Sequence, residues 1–225
     1  MNEPTSGLTG PALAHLVHDA RSQLRGVIVT AQLLQRREHS SAELQESLCK
    51  IVASGKHLDS LLTHSAHFGT LADAPRTLLR PISLSALLHG LLIEQRPLIE
   101  SAGGELDLGE PPSGKVAAGL QWILRELVAN SLRFRGSEPL RVRIELTATA
   151  HRLTVLVSDN GIGIPSEFAD QVFQPYRRLH NQGAYPGFGL GLATARRIAE
   201  VCDGSIEIRP VDGGTTIQVQ WPIDA

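Results

Sequence analysis

A chain of 225 residues with 21 basic against 23 acidic side chains has a formal net charge of -2, so no overall field draws it to nucleic acid or to an anionic membrane. Its 42% hydrophobic content suffices for a buried core, and its length allows one large or two modest domains. Cys49 and Cys202 are far apart with no C-x-x-C spacing, which argues against a disulfide framework or a zinc site and fits a reduced, cytoplasmic setting. No apolar run approaches the ~18 residues of a membrane span. The N-terminus lacks the basic region and apolar stretch of a signal peptide, so any sensory region is expected to lie outside this sequence.

Residues 1–10 read as a loose polar leader. From Pro11, a residue suited to a first helical turn, Leu13, Val17, Ala20, Leu24, Val27, Ala31 and Leu34 recur at alternating steps of four and three, a heptad seam. After a polar break at 38–41, Leu44, Leu48, Ile51, Gly55, Leu58, Leu62 and Ser65 repeat the pattern. The spacing predicts an antiparallel helical hairpin over 11–69. Two helices alone bury too little, so two hairpins are expected to pair as a dimeric four-helix bundle, making the protein a homodimer.

Residues 70–81 lose the periodicity and contain Pro75 and Pro81, which predicts a linker before a second domain at 82–225. Within that domain Ser83 is expected to cap a helix through Leu84, Leu87, Leu88, Leu91 and Leu92. The remaining pattern predicts a strand at 105–108, a helix at about 115–134, strands near 139–148 and 152–158, and a short helical stretch near 165–172. An irregular segment at 174–188, a helix at about 190–202 and strands near 205–210 and 215–221 complete it. Helices and mostly antiparallel strands segregate without βαβ alternation, so the fold class is α+β, with helices on one sheet face.

Three stretches carry chemistry. The β-branched run Leu153–Val157 delivers Asp159-Asn160-Gly161-Ile162-Gly163, where glycines permit a sharp bend and close approach of a ligand to the main chain. That geometry suits a flat heterocycle held by one carboxylate, although the motif alone serves equally as a hairpin or bulge. Glu126 and Asn130 lie four apart on the predicted long helix and project from one face with Arg133. An amide oxygen and a carboxylate acting through water would suit the octahedral shell of Mg²⁺; a solvated helix face is the plainer alternative. Gly187-Phe188-Gly189-Leu190-Gly191-Leu192 runs into a helix, and free amides at a helix N-terminus cradle phosphate. Its spacing matches neither a dinucleotide fold nor a P-loop, which disfavours both.

In order, Glu126-Leu127-Val128-Ala129-Asn130, Asp159-Asn160-Gly161-Ile162-Gly163, Phe173-Gln174-Pro175-Tyr176 and Gly187-Phe188-Gly189-Leu190-Gly191-Leu192 resemble the N, G1, F and G2 boxes of sensor histidine kinases, members of the Bergerat-type ATPase superfamily. The segment Tyr176-Arg177-Arg178-Leu179-His180 with Tyr185-Pro186-Gly187 is most similar to the phytochrome-type branch. His18-Asp19-Ala20-Arg21-Ser22-Gln23-Leu24 is similar to the phosphoacceptor H box. The resemblance implies ATP and Mg²⁺ as cofactors and His18 as phosphoacceptor, with Asp19 orienting its ring. It assigns Asp159 to the adenine amine, Gly161 and Gly163 to the pocket wall, Asn130 to the metal and Glu126 to the metal's shell or the nucleophile. Arg133 and Arg178 would approach phosphate, and Gly187, Gly189 and Gly191 would form the hinge and phosphate contact of a lid. The implied partners are a receiver domain on a separate response regulator and an upstream sensor, with no nucleic acid and no membrane span of its own.

The sequence departs from the family at Gln23, where Pro is frequent, at Arg133, which replaces Lys, and at Ser22, where Thr or Asn often holds a hydrolytic water. Two alternatives stay open at this level. One is a non-catalytic phosphotransfer or scaffold protein on the same fold; the other is a Bergerat-type serine kinase or ATPase in which His18 is incidental.

Overall fold

A computed structural model describes residues 10–36, 42–52, 54–55, 58, 76–179, 185, 189–211 and 213–224, without the side chains of 10–19, 35, 36 and 76. The chain divides into two compact units, 1–72 and 73–225.

In the first unit α1 spans Gly10–Arg36, and residues 42–52 form a second helix, α2. A Cβ on Gly26 would lie 3.8 Å from Ser54 Oγ, so the backbone of α1 runs close to the helical residue Ser54. Of the seam residues, Ala20, Val27, Ala31, Leu34 and Ile51 are half-buried, whereas Leu24, Leu44 and Leu48 are exposed. Ile28, Val29, Leu33 and Val52 are exposed as well. A single copy of this unit therefore leaves apolar surface uncovered on both helices.

The second unit is a mixed five-stranded sheet with helices on one face. β2 (Glu105–Leu108), β4 (Arg141–Ala148), β5 (Arg152–Asp159), β7 (Thr215–Pro222) and β6 (Ser205–Arg209) lie side by side in that order. The β2–β4 pairing is parallel and the others antiparallel. Period-two alternation decides which face is covered: Val142 and Ile144, then Leu153, Val155 and Val157, then Ile217, Val219 and Trp221 are buried, with Val155 opposite Val219 and Leu153 opposite Trp221. The opposite face carries an exposed ladder, Arg143 with Asp107 at 3.5 Å and with Glu145 at 3.3 Å. Such surface pairs contribute little to stability.

Three helices cover the apolar face: α4 (Leu84–Ser101), α5 (Gly119–Arg133) and α6 (Gly191–Val201), preceded by a single turn, α3 (Arg76–Leu79). The buried set of α5, Leu120, Ile123, Leu124, Leu127, Val128 and Ser131, follows the three-and-four spacing of one helical stripe. Three local expectations need correction. Ser83 stands at the N-cap of α4 but makes no side-chain cap; its hydroxyl meets Ser85 Oγ at 2.9 Å. The helix expected from 115 starts at Gly119, because Lys115–Ala117 is drawn into a strand, β3, against β1 (Pro81–Ser83). The helical stretch near 165–172 is a pair of 3-10 turns, Ser166–Phe168 and Gln171–Phe173.

Candidate functional site

Asp159 is the last residue of β5, paired with Val142 on one side and Thr215 on the other, so the sheet itself fixes its backbone. Its carboxylate is gripped at both oxygens. The Gly161 amide donates to Oδ1 at 2.9 Å, and the Ser131 hydroxyl on α5 donates to Oδ2 at 2.8 Å. The chain then turns hard against α5: Ile162 N–H donates to the Phe134 carbonyl at 3.0 Å. A Cβ on Gly161 would lie 2.6 Å from that same carbonyl oxygen, so glycine is required there. Gly163 has φ +79°, and a Cβ there would be 2.9 Å from the Gly214 carbonyl. Asn160 works as a clamp on β4, accepting from Arg141 N–H at 2.8 Å and donating to the Pro139 carbonyl at 2.9 Å.

The last two turns of α5 before Phe134 present the other candidates. Glu126, Asn130 and Arg133 are all half-buried. Arg133 Nη1 donates to Asn130 Oδ1 at 2.9 Å, so the amide oxygen faces a positive group. The Glu126 carboxylate lies against the first residue of α6, where a Cβ on Gly191 would collide with it. The structure therefore brings Glu126, Asn130, Arg133, Ser131 and Asp159 together along one helix and one strand end, with Gly191 beside Glu126. Asn130 Oδ1 accepts from Arg133 and keeps its second lone pair, so with a carboxylate one helical turn away this face offers the hard oxygens that Mg²⁺ prefers. Among the described residues no cluster of three His, Cys, Asp or Glu side chains exists, so a metal here would draw most of its shell from phosphate and water.

On the irregular side, Tyr176 N–H donates to the Gly189 carbonyl at 2.8 Å and Tyr176 itself has φ +63°. Gly189 has φ +68°, and a Cβ there would lie 2.6 Å from the Arg177 carbonyl. Half-buried Arg178 donates through Nη2 to the Tyr185 carbonyl at 2.7 Å, and the Tyr185 ring packs on Phe134 with centroids 5.2 Å apart. The Arg196 guanidinium of α6 sits 4.0 Å from the centre of the Phe173 ring, a cation–π contact between α6 and the second 3-10 turn. Gly187 lies outside the described residues. His18 and Asp19 are helical residues of α1 whose side chains also lie outside them.

Two residues that hold the site were not singled out by sequence. Ser131 had the look of an ordinary helix residue, yet its burial stripe aims it at Asp159. Gly214 belongs to the β6–β7 turn, and with φ +75° it packs where a Cβ would collide with the Asp159 carbonyl. Only the sheet order, which puts β7 beside β5, makes that contact visible.

A carboxylate at a strand end, a glycine-shaped loop and a helix bearing Asn and Glu beside the N-terminus of another helix define an ATPase-type α+β domain. Residues 115–225 match the family described as histidine kinase-, DNA gyrase B-, and HSP90-like ATPase. The chain is 30% identical over 225 residues to the autoinducer 2 sensor kinase/phosphatase LuxQ of Vibrio parahaemolyticus, an alignment covering 94% of this chain and 26% of that protein. It is 32% identical over 211 residues to the sensor histidine kinase AruS of Pseudomonas aeruginosa, covering 87% and 21% respectively. The phytochrome-like protein Cph1 of Synechocystis is 28% identical over 207 residues, covering 88% and 27%. The chain thus spans about a quarter of the length of these curated relatives. Among solved structures, histidine kinase ThkA in complex with response regulator protein TrrA superposes with a TM-score of 0.75 at 16% identity, over 96% of this chain and 62% of that one. Full-length ShkA in complex with AMPPNP gives 0.66 at 23% identity, over 95% and 46%. These structures share its fold. The chain resembles the catalytic core of sensor histidine kinases over most of its length, and residues 115–225 carry the ATPase domain that the matching family describes. No helix among the described residues is long and apolar enough to cross a membrane.

Proposed function

We propose that the chain is the kinase core of a two-component system: its C-terminal unit binds Mg-ATP, the γ-phosphoryl group is transferred to His18, and it then passes to an aspartate of a separate response regulator. The observation that carries this reading is the doubly held Asp159 carboxylate, an acceptor fixed at the mouth of a glycine-shaped loop, on the same helix-and-strand frame as Asn130 and Glu126. Asp159 reads the adenine amino group, and Gly161 and Gly163 let the base lie against the backbone. Asn130 would hold the metal and Glu126 would orient its water shell. Bound Mg²⁺ supplies charge neutralisation to the transferred phosphoryl group. Arg133 and Arg178 approach phosphate, and Gly187, Gly189 and Gly191 shape the lid and its contact with the phosphates. Phosphoryl transfer needs positioning and charge neutralisation more than covalent help, which suits a site built from donors and one amide. At the acceptor, a carboxylate on one ring nitrogen leaves the other as nucleophile, the role given to Asp19 toward His18.

The exposed apolar residues on α1 and α2 support a homodimeric bundle, since burying each Leu or Val stabilises by roughly 1.5–3 kcal/mol. A cytoplasmic location and an upstream sensor complete the reading. Asn130→Asp tests the metal assignment: labelling of the protein from γ-labelled ATP is expected to disappear while the dimer persists in size-exclusion chromatography. Unchanged labelling would remove Asn130 from the metal site.

A further inference from the structure

Ser131 is one of three buried polar side chains among the described residues, 3% exposed on the inner stripe of a helix that is otherwise apolar there. An apolar core position that carries a hydroxyl requires a partner. Its oxygen lies 2.8 Å from Asp159 Oδ2 and 3.2 Å from the carbonyl of Leu127, one turn back. A hydroxyl has one proton, and the shorter contact to a charged acceptor takes it, since charge-assisted bonds are the shorter and stronger ones. The Gly161 amide holds Oδ1 from the other side, within the loop. One donor on each oxygen, one from the helix and one from the loop, fixes the plane of the carboxylate about its own bond before any ligand arrives.

We propose that Ser131 is a positioning residue for base selection: by locking the Asp159 carboxylate as an oriented, acceptor-only group, it makes the site discriminate in favour of a nucleobase that presents an exocyclic amino donor. This rests on the nucleotide reading of the same site. Ser131 lies next to Asn130 on α5, so the hydrogen bond also ties the base-reading end of the site to the register of the helix that bears the metal ligand. Without the hydroxyl, the carboxylate keeps only its loop donor and must be ordered by the ligand itself. A purine lacking the 6-amino group makes no bond to Asp159 and is indifferent to that loss.

Calorimetric titration of the full chain with ATP and with purine riboside triphosphate, which differs only in lacking the amino group, tests this in excess Mg²⁺. Ser131→Ala deletes one oxygen and raises helix propensity, so the fold survives. It is expected to weaken ATP binding about tenfold, as loss of a hydrogen bond to a charged group does, while changing purine riboside triphosphate binding less than about twofold. Ser131→Cys, similar in shape with a weak donor, is expected to fall between. A wild-type preference for ATP that survives intact in Ser131→Ala, with both ligands weakened alike or neither, would overturn the proposal and leave the nucleotide site standing. A wild-type chain that binds neither nucleotide would remove the site itself.

Discussion

The proposed reading of a base by Asp159 needs a fixed carboxylate, and the glycines around it leave no room for a Cβ. Gly161→Ala would put a methyl 2.6 Å from the Phe134 carbonyl and 2.9 Å from Asp159 Oδ1. Overpacking of this kind costs about 1–3 kcal/mol, and here the strain falls on the loop that shapes the pocket. We expect Gly161→Ala to lose most ATP binding with little change in circular dichroism; ATP affinity equal to wild type would contradict the assignment.

Cys202 shows a different single-residue effect. Burial, with a smaller contribution from the charge of Asp203, pushes its thiol up from 9.0 to about 11. Below pH 9 the thiol is neutral in folded and unfolded chains alike, so its contribution to stability is fully present. Between pH 9 and 11 the unfolded chain ionises first and unfolding becomes easier. Urea midpoints measured at pH 8 and pH 10.5 are expected to fall more for the wild type than for Cys202→Ala, which lacks the group; identical falls would refute the shift.

At the scale of elements, the site is made where α5, the end of β5 and the β6–β7 turn converge. Gly214 touches no proposed ligand, yet its backbone lies where any side chain would meet the Asp159 carbonyl, and its own carbonyl backs Gly163. Gly214→Ala combines a strained positive φ with that collision, so ATP affinity is expected to drop severalfold alongside a lower melting temperature. A full-affinity variant would show that the turn does not brace the site.

Much of this frame was legible in the sequence. The stripe of α5 announced itself through Leu120, Leu124, Leu127 and Val128, and the boxes singled out Glu126 and Asn130 on that helix and Asp159 at the end of β5. What sequence reading missed depends on long-range pairing. Residues 115–117 read as a helix start because β3 exists only by pairing with β1, some 34 positions earlier. Ser131 and Gly214 gained meaning only once a helix stripe and a sheet order set them against Asp159, 28 and 55 positions away in the chain. Local patterns encode faces and turns; they do not encode which distant backbone a small residue will touch.

For the whole molecule, the two units carry different burdens. The C-terminal unit closes its own core around Leu84, Leu88, Leu91, Leu120, Leu124, Ile144 and Trp221. The helical unit leaves Leu24, Leu44 and Leu48 of its heptad seam exposed, together with Ile28 and Leu33. Sustained heptads with uncovered apolar positions associate. Leu24→Asp combined with Leu48→Asp is expected to shift the protein from dimer to monomer in analytical ultracentrifugation while ATP binding by the C-terminal unit persists. A wild-type monomer at micromolar concentration would contradict the bundle.

In the proposed reaction a phosphoryl group leaves ATP bound by the C-terminal unit and arrives on the His18 imidazole of α1. Incubating the protein with γ-labelled ATP and Mg²⁺ and then treating it with acid tests this most directly. The expected label is stable in base, lost in acid and missing from His18→Gln; an acid-resistant label, or one that persists in His18→Gln, would contradict transfer to His18.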